Sequence, residues 1–258
     1  EGCGSYFKNN KMKIGVNARF LNKPFTGIGQ YTQNLLKHLA ELDSGNEYVF
    51  VVNEELDERI KSEFPKNVSF KYLAEKKVGT AGMKKTWWEQ IRLPDLFKKE
   101  KCEIVIYPYP SNPWVNSWYK NGIKTVVAVH DCIPWVSKSY KKKMLSRMYN
   151  YQAKKAIKKA NIVLTVSKSS KKDIEKRCKV YGPKIKAIHN DAGDVFKKGH
   201  YADGVLSKFD IRKGEYFLYV GGYDERKNVK MLLNEYSNFS KESDATLPLV
   251  LVGGKQIN

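Results

Sequence analysis

The chain has 258 residues, which exceeds one average domain, and its 41% hydrophobic and 29% charged content is typical of a globular protein with a buried core. No apolar run approaches the ~20 residues needed to span a bilayer, so the sequence excludes a transmembrane helix. The formal net charge of +20 indicates an anionic partner, which composition leaves open as nucleic acid, an anionic membrane surface or an anionic substrate.

The beginning of the chain and its cysteines indicate the compartment. Residues 1–11 lack the apolar core and the cleavage pattern of a signal peptide, and we expect them to be an appended or disordered leader. The cysteines form no C-x-x-C pair, which argues against both a zinc site and a disulfide framework. We therefore expect a cytoplasmic protein without a bound metal. The four cysteines are Cys3, Cys102, Cys132 and Cys178.

From Lys13 to residue 190, short segments rich in Val and Ile alternate with segments of helical spacing. Near-continuous apolarity predicts strands that are buried on both faces of a parallel sheet. The predicted strands are 13–18, 47–53, 68–73, 102–108, 124–130, 161–167 and 184–190. The predicted apolar helix faces comprise Tyr31, Leu35, Leu36 and Leu39, then Ile91, Leu93, Leu96 and Phe97, then Leu145, Met148, Ala156 and Ile157. This alternation predicts an α/β fold with a doubly wound, Rossmann-like parallel sheet.

The alternation lapses at 191–213, a stretch rich in Gly, Asp and Lys that predicts an interdomain connection. We expect one Rossmann-like domain at 12–190 and the start of a second at 214–258. The second begins with a predicted strand, helix and strand at 216–220, 228–241 and 247–254. A single β-α-β unit buries too little surface for a complete domain of this type, so we expect a truncated second domain.

A glycine turn follows the first predicted strand in "TGIGQYTQNLL", residues 26–36. Gly27 and Gly29 permit a ligand to approach the backbone closely, and Thr26 is expected to cap the next helix. The third glycine of the dinucleotide fingerprint is absent, so a turn without a ligand remains the alternative.

A second glycine turn, Gly221-Gly222, also joins a predicted strand to a helix. The free amides of a helix start favour a phosphate, and Arg226 and Lys227 place two cations at a terminus where the helix dipole disfavours them unless an anion binds. The alternative is an ordinary tight turn with a solvated basic pair.

His130 and Asp131 come directly after a predicted strand, at the edge where open α/β sheets bind ligands. The imidazole can bond a sugar hydroxyl or a phosphate, and the carboxylate can orient the ring. The alternative is a pair that only fixes a loop. The other histidines have no metal-ligand spacing, so no metal is predicted.

Basic residues concentrate in 137–160 and 167–179. In the first stretch they accompany an apolar stripe, which predicts a basic amphipathic helix that binds an anionic membrane surface or is simply solvated. Trp87 and Trp88, beside Lys84 and Lys85, fit either a membrane interface or internal packing. No nucleic-acid-binding module is recognisable, and we expect no nucleic acid partner. The lysines assigned to the surface are Lys141, Lys154, Lys155, Lys158 and Lys159.

Together these segments resemble the retaining glycosyltransferases of family 4, in particular the mannosyltransferase-like group with the two-domain GT-B fold. The resemblance extends from about Lys13 to the end of the chain. It depends on five segments in the order of the family: "TGIGQYTQNLL", "WWEQIRLPDLFKKEKCEIVIYPYP", "VVAVHDCIPW", "KKANIVLTVSKSSKKDI" and "FLYVGGYDERKNVKMLL".

The resemblance implies transfer of a sugar from a nucleotide-sugar, such as a GDP- or UDP-sugar, to a glycan or lipid-linked acceptor. The first domain would contact the acceptor, the second would bind the diphosphate, and no metal would be needed. Gly27 and Gly29 would flank the donor phosphates and the acceptor, and His130, with Asp131, would lie near the transferred sugar. The residues implied to bind the departing diphosphate are Gly221, Gly222, Arg226 and Lys227.

The chain departs from the family pattern at Tyr107, where many relatives have a histidine, and at Gly222, where some have an arginine. The resemblance also implies that a Glu-x7-Glu segment, which holds the donor sugar and ribose, lies beyond residue 258. We therefore expect these residues alone to be inactive, and cytoplasmic or peripheral at the inner face of a membrane. The alternative is a non-catalytic GT-B-like protein that binds a sugar or an anionic surface.

Overall fold

A computed structural model describes residues 11–75, 79–113, 122–136, 144–193, 196, 204–242 and 247–253, except the side chains of 136, 144–146 and 226. Cys3, Lys141 and the leader at 1–10 therefore lie outside the described residues. The chain divides into two compact units, Glu1–Ala192 and Gly193–Asn258, which are described separately.

The first unit contains a parallel sheet of seven strands in the order β3-β2-β1-β4-β5-β6-β7. Each predicted strand is present within its predicted bounds, and the predicted doubly wound α/β class is confirmed. The strands are β1 Lys13–Asn17, β2 Glu47–Val52, β3 Val68–Tyr72, β4 Ile104–Tyr107, β5 Lys124–Val129, β6 Ile162–Thr165 and β7 Ile185–Ala187.

Helices connect these strands and cover both faces of the sheet. The described α-helices of the first unit are α1 Gly27–Leu42, α2 Glu58–Lys61, α3 Ala81–Trp87, α4 Leu93–Lys99, α5 Ile133–Val136, α6 Met144–Lys159 and α7 Lys168–Cys178. A π-helical turn at Trp88–Arg92 joins α3 to α4, and 3₁₀ turns occupy Arg19–Asn22 and Gly182–Lys184.

The alternation of side chains along the strands divides the core into two apolar clusters, one on each face of the sheet. In β4, Val105 belongs to the cluster under the π-helical turn, α4, α6 and α7, whereas Ile106 belongs to the cluster under α1. Both faces of the central strands β1, β2, β4 and β5 are therefore buried, which is why these strands are mostly apolar, whereas the edge strands β3 and β7 are partly exposed.

The predicted apolar face of α6 is partly wrong. Ala156 and Ile157 are buried as expected, together with Ala153, but Met148 is 48% exposed. Among the described side chains of this helix, those that join the core begin at Ala153, whereas the preceding turn contacts α5. There, the Asn150 side-chain amide donates to the Pro134 carbonyl at 2.7 Å.

The second unit consists of the parallel strands β8 Phe217–Val220 and β9 Leu249–Val252 with helix α8 Val229–Glu242 between them. These are the predicted elements. A 3₁₀ turn at Glu225–Lys227 separates the glycine turn from α8, and Asn228, between them, adopts a left-handed backbone with φ 51°. The basic pair therefore lies just before the helix.

The start of α1 explains one of the two glycines in the first turn. The Thr26 hydroxyl oxygen accepts from the Gly29 backbone N–H at 3.1 Å and caps the helix, as expected. A Cβ at Gly29 would lie 1.9 Å from the Lys23 carbonyl oxygen, whereas a Cβ at Gly27 would meet open space. The chain's own backbone, rather than a ligand, therefore requires glycine at position 29.

These two glycines form a matched pair. Gly29→Ala should lower the free energy of unfolding by about 2 kcal/mol or more, because the Lys23 carbonyl must move. Gly27→Ala should change it by no more than about 0.5 kcal/mol, since Ala fits the space and favours the helix. Urea unfolding of both variants measures the difference, and equal destabilisation by the two substitutions would contradict this account.

Candidate functional site

The candidate site lies where the order of the strands reverses. From β1 the chain adds β2 and β3 on one side, and from β4 onward it adds strands on the other. Connections that leave β1 and β4 in opposite directions open a crevice at the carboxyl ends of these strands, which is where open α/β sheets bind ligands. Asn17 is the last residue of β1, and Tyr109 and Ser111 follow β4.

A buried hydrogen-bond network crosses this reversal. The Asn17 amide donates to the Tyr109 hydroxyl at 3.1 Å and to Ser111 Oγ at 2.9 Å. The Tyr109 hydroxyl in turn donates to Glu89 Oε1 at 2.5 Å. Burial raises the pKa of both Glu89 and Tyr109, while the nearby Lys85 ammonium and the Tyr109 hydroxyl favour the ionised form of Glu89. The network thus holds a buried carboxyl group at the edge of the sheet, and the charge of Lys85 opposes the effect of burial on its pKa.

Two ion pairs complete this group, which we call the edge cluster. Arg19 pairs with Glu75, and the Arg19 guanidinium carbon lies 5.9 Å from the centre of the Trp88 ring. The Lys85 ammonium lies 3.7 Å from Glu89 Oε1. Two basic side chains thus face two acidic ones. The edge cluster comprises Asn17, Arg19, Glu75, Lys85, Glu89, Tyr109 and Ser111.

The π-helical turn explains how Glu89 reaches the interior. Pro94 has no N–H to donate to the carbonyl of residue 90, and the wider turn accommodates this missing bond. Consequently three consecutive side chains, Trp88, Glu89 and Gln90, are all buried. The Trp88 indole N–H donates to the Leu73 carbonyl at 2.6 Å, which fixes the turn to the end of β3. Trp88 therefore packs internally, while Trp87 is 40% exposed.

His130 lies at the same edge, directly after β5, and is half-buried. Its Nε2 lies 2.9 Å from the Pro108 carbonyl oxygen, and its ring meets the edge of the Tyr31 ring at 4.5 Å between centres. Burial lowers the pKa of His130, which favours the neutral ring. A carbonyl only accepts, so Nε2 carries the proton and the neutral Nδ1 holds a lone pair.

Asp131 does not orient this ring. Its Oδ1 accepts from the Ile133 backbone N–H at 2.9 Å, which fixes the turn that begins α5. The Pro108 carbonyl instead sets the neutral tautomer of His130. The backbone carbonyl of His130 accepts from Ser170 Oγ at 3.1 Å. A catalytic function for Asp131 stays a prediction.

In the first unit, the other predicted site residues take no part in the described hydrogen bonds of the edge cluster. Gly27 and Thr26 are exposed at the start of α1, and Tyr107 is buried in the core beside Phe97. In the second unit, Gly221 has φ 157°, and the Tyr219 hydroxyl donates to the Gly222 carbonyl at 2.7 Å. Lys227 is exposed, and the side chain of Arg226 lies outside the described residues.

The basic residues of α6 occupy its outer surface in part. Lys155, Lys158 and Lys159 are exposed, while Lys154 is half-buried. Among the described helices, none combines the length and apolarity that a membrane crossing requires. Within the described ranges, no three His, Cys, Asp or Glu side chains are grouped as metal ligands would be.

Sequence reasoning missed most of the edge cluster. Glu89 and Tyr109 belong to a segment quoted for the resemblance, but the sequence assigns no function to them, and Lys85 is named only beside Trp87 and Trp88. Asn17, Arg19 and Ser111 are not singled out, because only the strand order brings the ends of β1 and β4 together. A usable signal was present in Asn17 and Asn53, the polar residues that end two otherwise apolar strand segments.

Comparisons with solved structures show a shared fold at low identity. WaaG, a glycosyltransferase involved in lipopolysaccharide biosynthesis, matches with a TM-score of 0.65 and 14% identity, over 95% of this chain and 64% of that one. Sucrose-phosphate synthase from Thermosynechococcus elongatus matches with a TM-score of 0.66 and 13% identity, over 95% of this chain and 63% of that one. A UDP-N-acetylglucosamine 2-epimerase matches with a TM-score of 0.59 and 15% identity, over 96% of this chain and 62% of that one. The chain thus spans less than two thirds of each of these three structures.

These likenesses confirm the predicted GT-B-type fold class and show nothing finer, since an epimerase shares it. No curated protein sequence matches the chain. The model of the family described as Glycosyltransferase Family 4 matches residues 25–190. This match covers more than half of the sequence and most of the first unit, and the chain therefore belongs to glycosyltransferase family 4.

Proposed function

We propose that these residues form the acceptor side, and part of the donor side, of a retaining glycosyltransferase. The enzyme transfers a sugar from a nucleotide-sugar to a glycan or lipid-linked acceptor. Family membership supports the nucleotide-sugar and the transfer. The observation that carries the proposal is the edge cluster, which gathers hydrogen-bonding side chains at the reversal of strand order, where a ligand of the first unit would bind.

His130 is proposed to orient the transferred sugar by accepting a hydrogen bond. Its Nε2–H donates to Pro108, so Nδ1 remains to contact a ligand, and it has no hydrogen-bond partner among the residues that the structure describes. Since burial lowers the pKa of His130 from its ordinary value near 6.5, the ring is neutral at pH 7. A neutral Nδ1 accepts from a sugar hydroxyl, and acidification below the lowered pKa would abolish this contact.

Two substitutions separate the functional nitrogen from the structural one. His130→Gln retains an N–H near Nε2 for Pro108 but loses the acceptor at Nδ1, and we expect turnover to fall by ~10² to 10³ with a melting temperature near that of the wild type. His130→Asn retains a polar atom near Nδ1 but loses the Pro108 bond, so it should melt earlier and keep more activity per folded molecule.

Turnover and melting temperature are measured on the same preparations of the complete enzyme, which the resemblance implies to extend beyond residue 258. An earlier-melting but fully active His130→Gln protein would remove His130 from the site.

The second unit is proposed to contact the donor diphosphate. Gly221 and Gly253 follow the parallel strands β8 and β9, and a Cβ at Gly253 would lie 2.7 Å from the Gly221 carbonyl oxygen. This close approach leaves a turn without side chains at the carboxyl ends of both strands. The exposed Lys227, with Arg226, would supply positive charge to the departing diphosphate, as a metal ion does in other enzymes.

We expect the 258-residue chain to bind nucleotide-sugars only weakly, because the contacts to ribose and sugar are implied to lie outside it. Calorimetric titration with UDP-, GDP- and dTDP-sugars tests this expectation. Micromolar affinity for any of them would show that the donor site is complete without further residues.

The basic face of α6 is proposed to associate with an anionic bilayer, which would make the cytoplasmic protein peripheral at the membrane. Each cation near such a surface contributes ~1 kcal/mol, so binding should weaken with salt. Reversal of the exposed Lys155, Lys158 and Lys159 to Glu should abolish co-sedimentation with phosphatidylglycerol vesicles.

The matched control reverses three exposed lysines on other elements, Lys66, Lys98 and Lys99, and changes the net charge equally. Equal loss of binding in both variants, or equal binding of the wild type to neutral vesicles, would show that α6 is not the contact surface.

A further inference from the structure

Lys85 has the geometry of a ligand contact that the chain leaves unused. Its side chain is 31% exposed, and its ammonium lies 3.7 Å from Glu89 Oε1, which is longer than a hydrogen bond. The same ammonium lies 4.9 Å from the centre of the Tyr109 ring and 5.8 Å from that of Tyr149. In the described part of the chain, its three N–H groups meet no hydrogen-bond acceptor.

The groups around Lys85 restrict where the ammonium can lie. Glu89 is held by the Tyr109 hydroxyl, which Asn17 holds in turn, and Tyr109 packs edge-on against Phe20 at 4.8 Å between ring centres. The attraction of the carboxylate and of two ring faces therefore acts from fixed positions. The result is a positioned cation that has no hydrogen-bond acceptor among the described residues.

The charge of the edge cluster indicates what these donors bind. The chain as a whole carries +20, yet here two cations, Arg19 and Lys85, are matched by two carboxylates, Glu75 and Glu89. An anion placed at Lys85 would also face Glu89, whereas an uncharged sugar would gain the N–H donors without that repulsion. The exposed Tyr149 ring adds an apolar surface beside them.

We propose that Lys85 is a specificity-determining contact that donates hydrogen bonds to the hydroxyl oxygens of an uncharged sugar in the acceptor, with Glu89 and Tyr109 as positioning residues. This inference rests on the proposed function, in which the first unit binds the acceptor. It assigns to the edge cluster a neutral sugar rather than a phosphate.

The direction in which Glu89→Gln changes the affinity distinguishes a neutral sugar from an anion. Glu89→Gln keeps an oxygen for the Tyr109 hydroxyl but removes the charge. If Lys85 binds a neutral sugar, this change releases the ammonium from its position and weakens binding. If Lys85 binds an anion, it removes a repulsive charge and strengthens binding.

The first experiment measures binding by the 258-residue chain without any turnover. Backbone amide shifts of Lys85, Tyr109 and Ser111 are followed during titration with methyl glycosides of glucose, galactose, mannose and N-acetylglucosamine, and with inorganic phosphate. We expect at least one glycoside to shift these amides, with an affinity that is insensitive to salt.

Lys85→Met and Glu89→Gln should each weaken that affinity about 10-fold, the size of one lost charge-assisted hydrogen bond. Lys85→Arg should restore most of it, because Arg keeps the charge and the donors. Lys84→Met is the matched control, one residue away on the same helix, and should leave the affinity unchanged. Melting temperatures of all four variants identify any loss caused by unfolding.

The proposal is overturned if no glycoside shifts these amides, or if phosphate competes at this position with an affinity that falls with salt and rises in Glu89→Gln. In the complete enzyme, Lys85→Met should raise KM for a neutral acceptor by a larger factor than it lowers kcat. An unchanged KM in an active Lys85→Met enzyme would overturn this inference but not the proposed function. Glycoside binding without any sugar transfer would overturn the proposed function and leave the contact at Lys85 standing.

Discussion

The side-chain amide of Asn17 connects the two halves of the first sheet at the point where its strand order reverses. It is fully buried at the end of β1 and donates to Tyr109 and Ser111, both on the segment that follows β4. Its oxygen accepts from the Arg19 backbone N–H at 3.4 Å. A buried amide without partners would cost about 1 to 3 kcal/mol, so the positions of these two segments depend on one another.

This dependence is transmitted to the acids of the edge cluster. Tyr109 can hold Glu89 only because Asn17 and Phe20 fix its ring and hydroxyl. A buried carboxylate is costly unless ion pairing and hydrogen bonds offset its desolvation, and here Tyr109 supplies the bond and Lys85 the charge. An apolar residue would fill the same space without the free-energy cost of desolvation. A buried acidic residue in a π-helical turn is typical of functional sites.

At the edge of the sheet, some of the predicted functional residues make structural contacts within the chain, and others have atoms that are available to a ligand. Gly29 permits the close approach of the Lys23 carbonyl, Asp131 accepts a hydrogen bond that fixes the turn before α5, and Trp88 anchors the π-helical turn. The Nδ1 atom of His130 and the N–H groups of Lys85 have no hydrogen-bond partner among the described residues, although the charge of Lys85 acts on Glu89. The distinction between these two classes depends on contacts, and residue type alone does not reveal it.

The sequence by itself determined the elements and the fold class. Short runs rich in Val and Ile are a local property of the sequence, and they located the seven described strands of the first sheet and the β-α-β unit that follows them. Position after a strand also located His130 at the carboxyl edge, since chain order and strand direction suffice for that. Tertiary structure alone decided the order β3-β2-β1-β4, and with it the meeting of Asn17, Tyr109 and Glu89, which are distant in sequence. It also decided which side chains of α6 are buried, because packing against the core, rather than periodicity, buries Ala153 and leaves Met148 exposed.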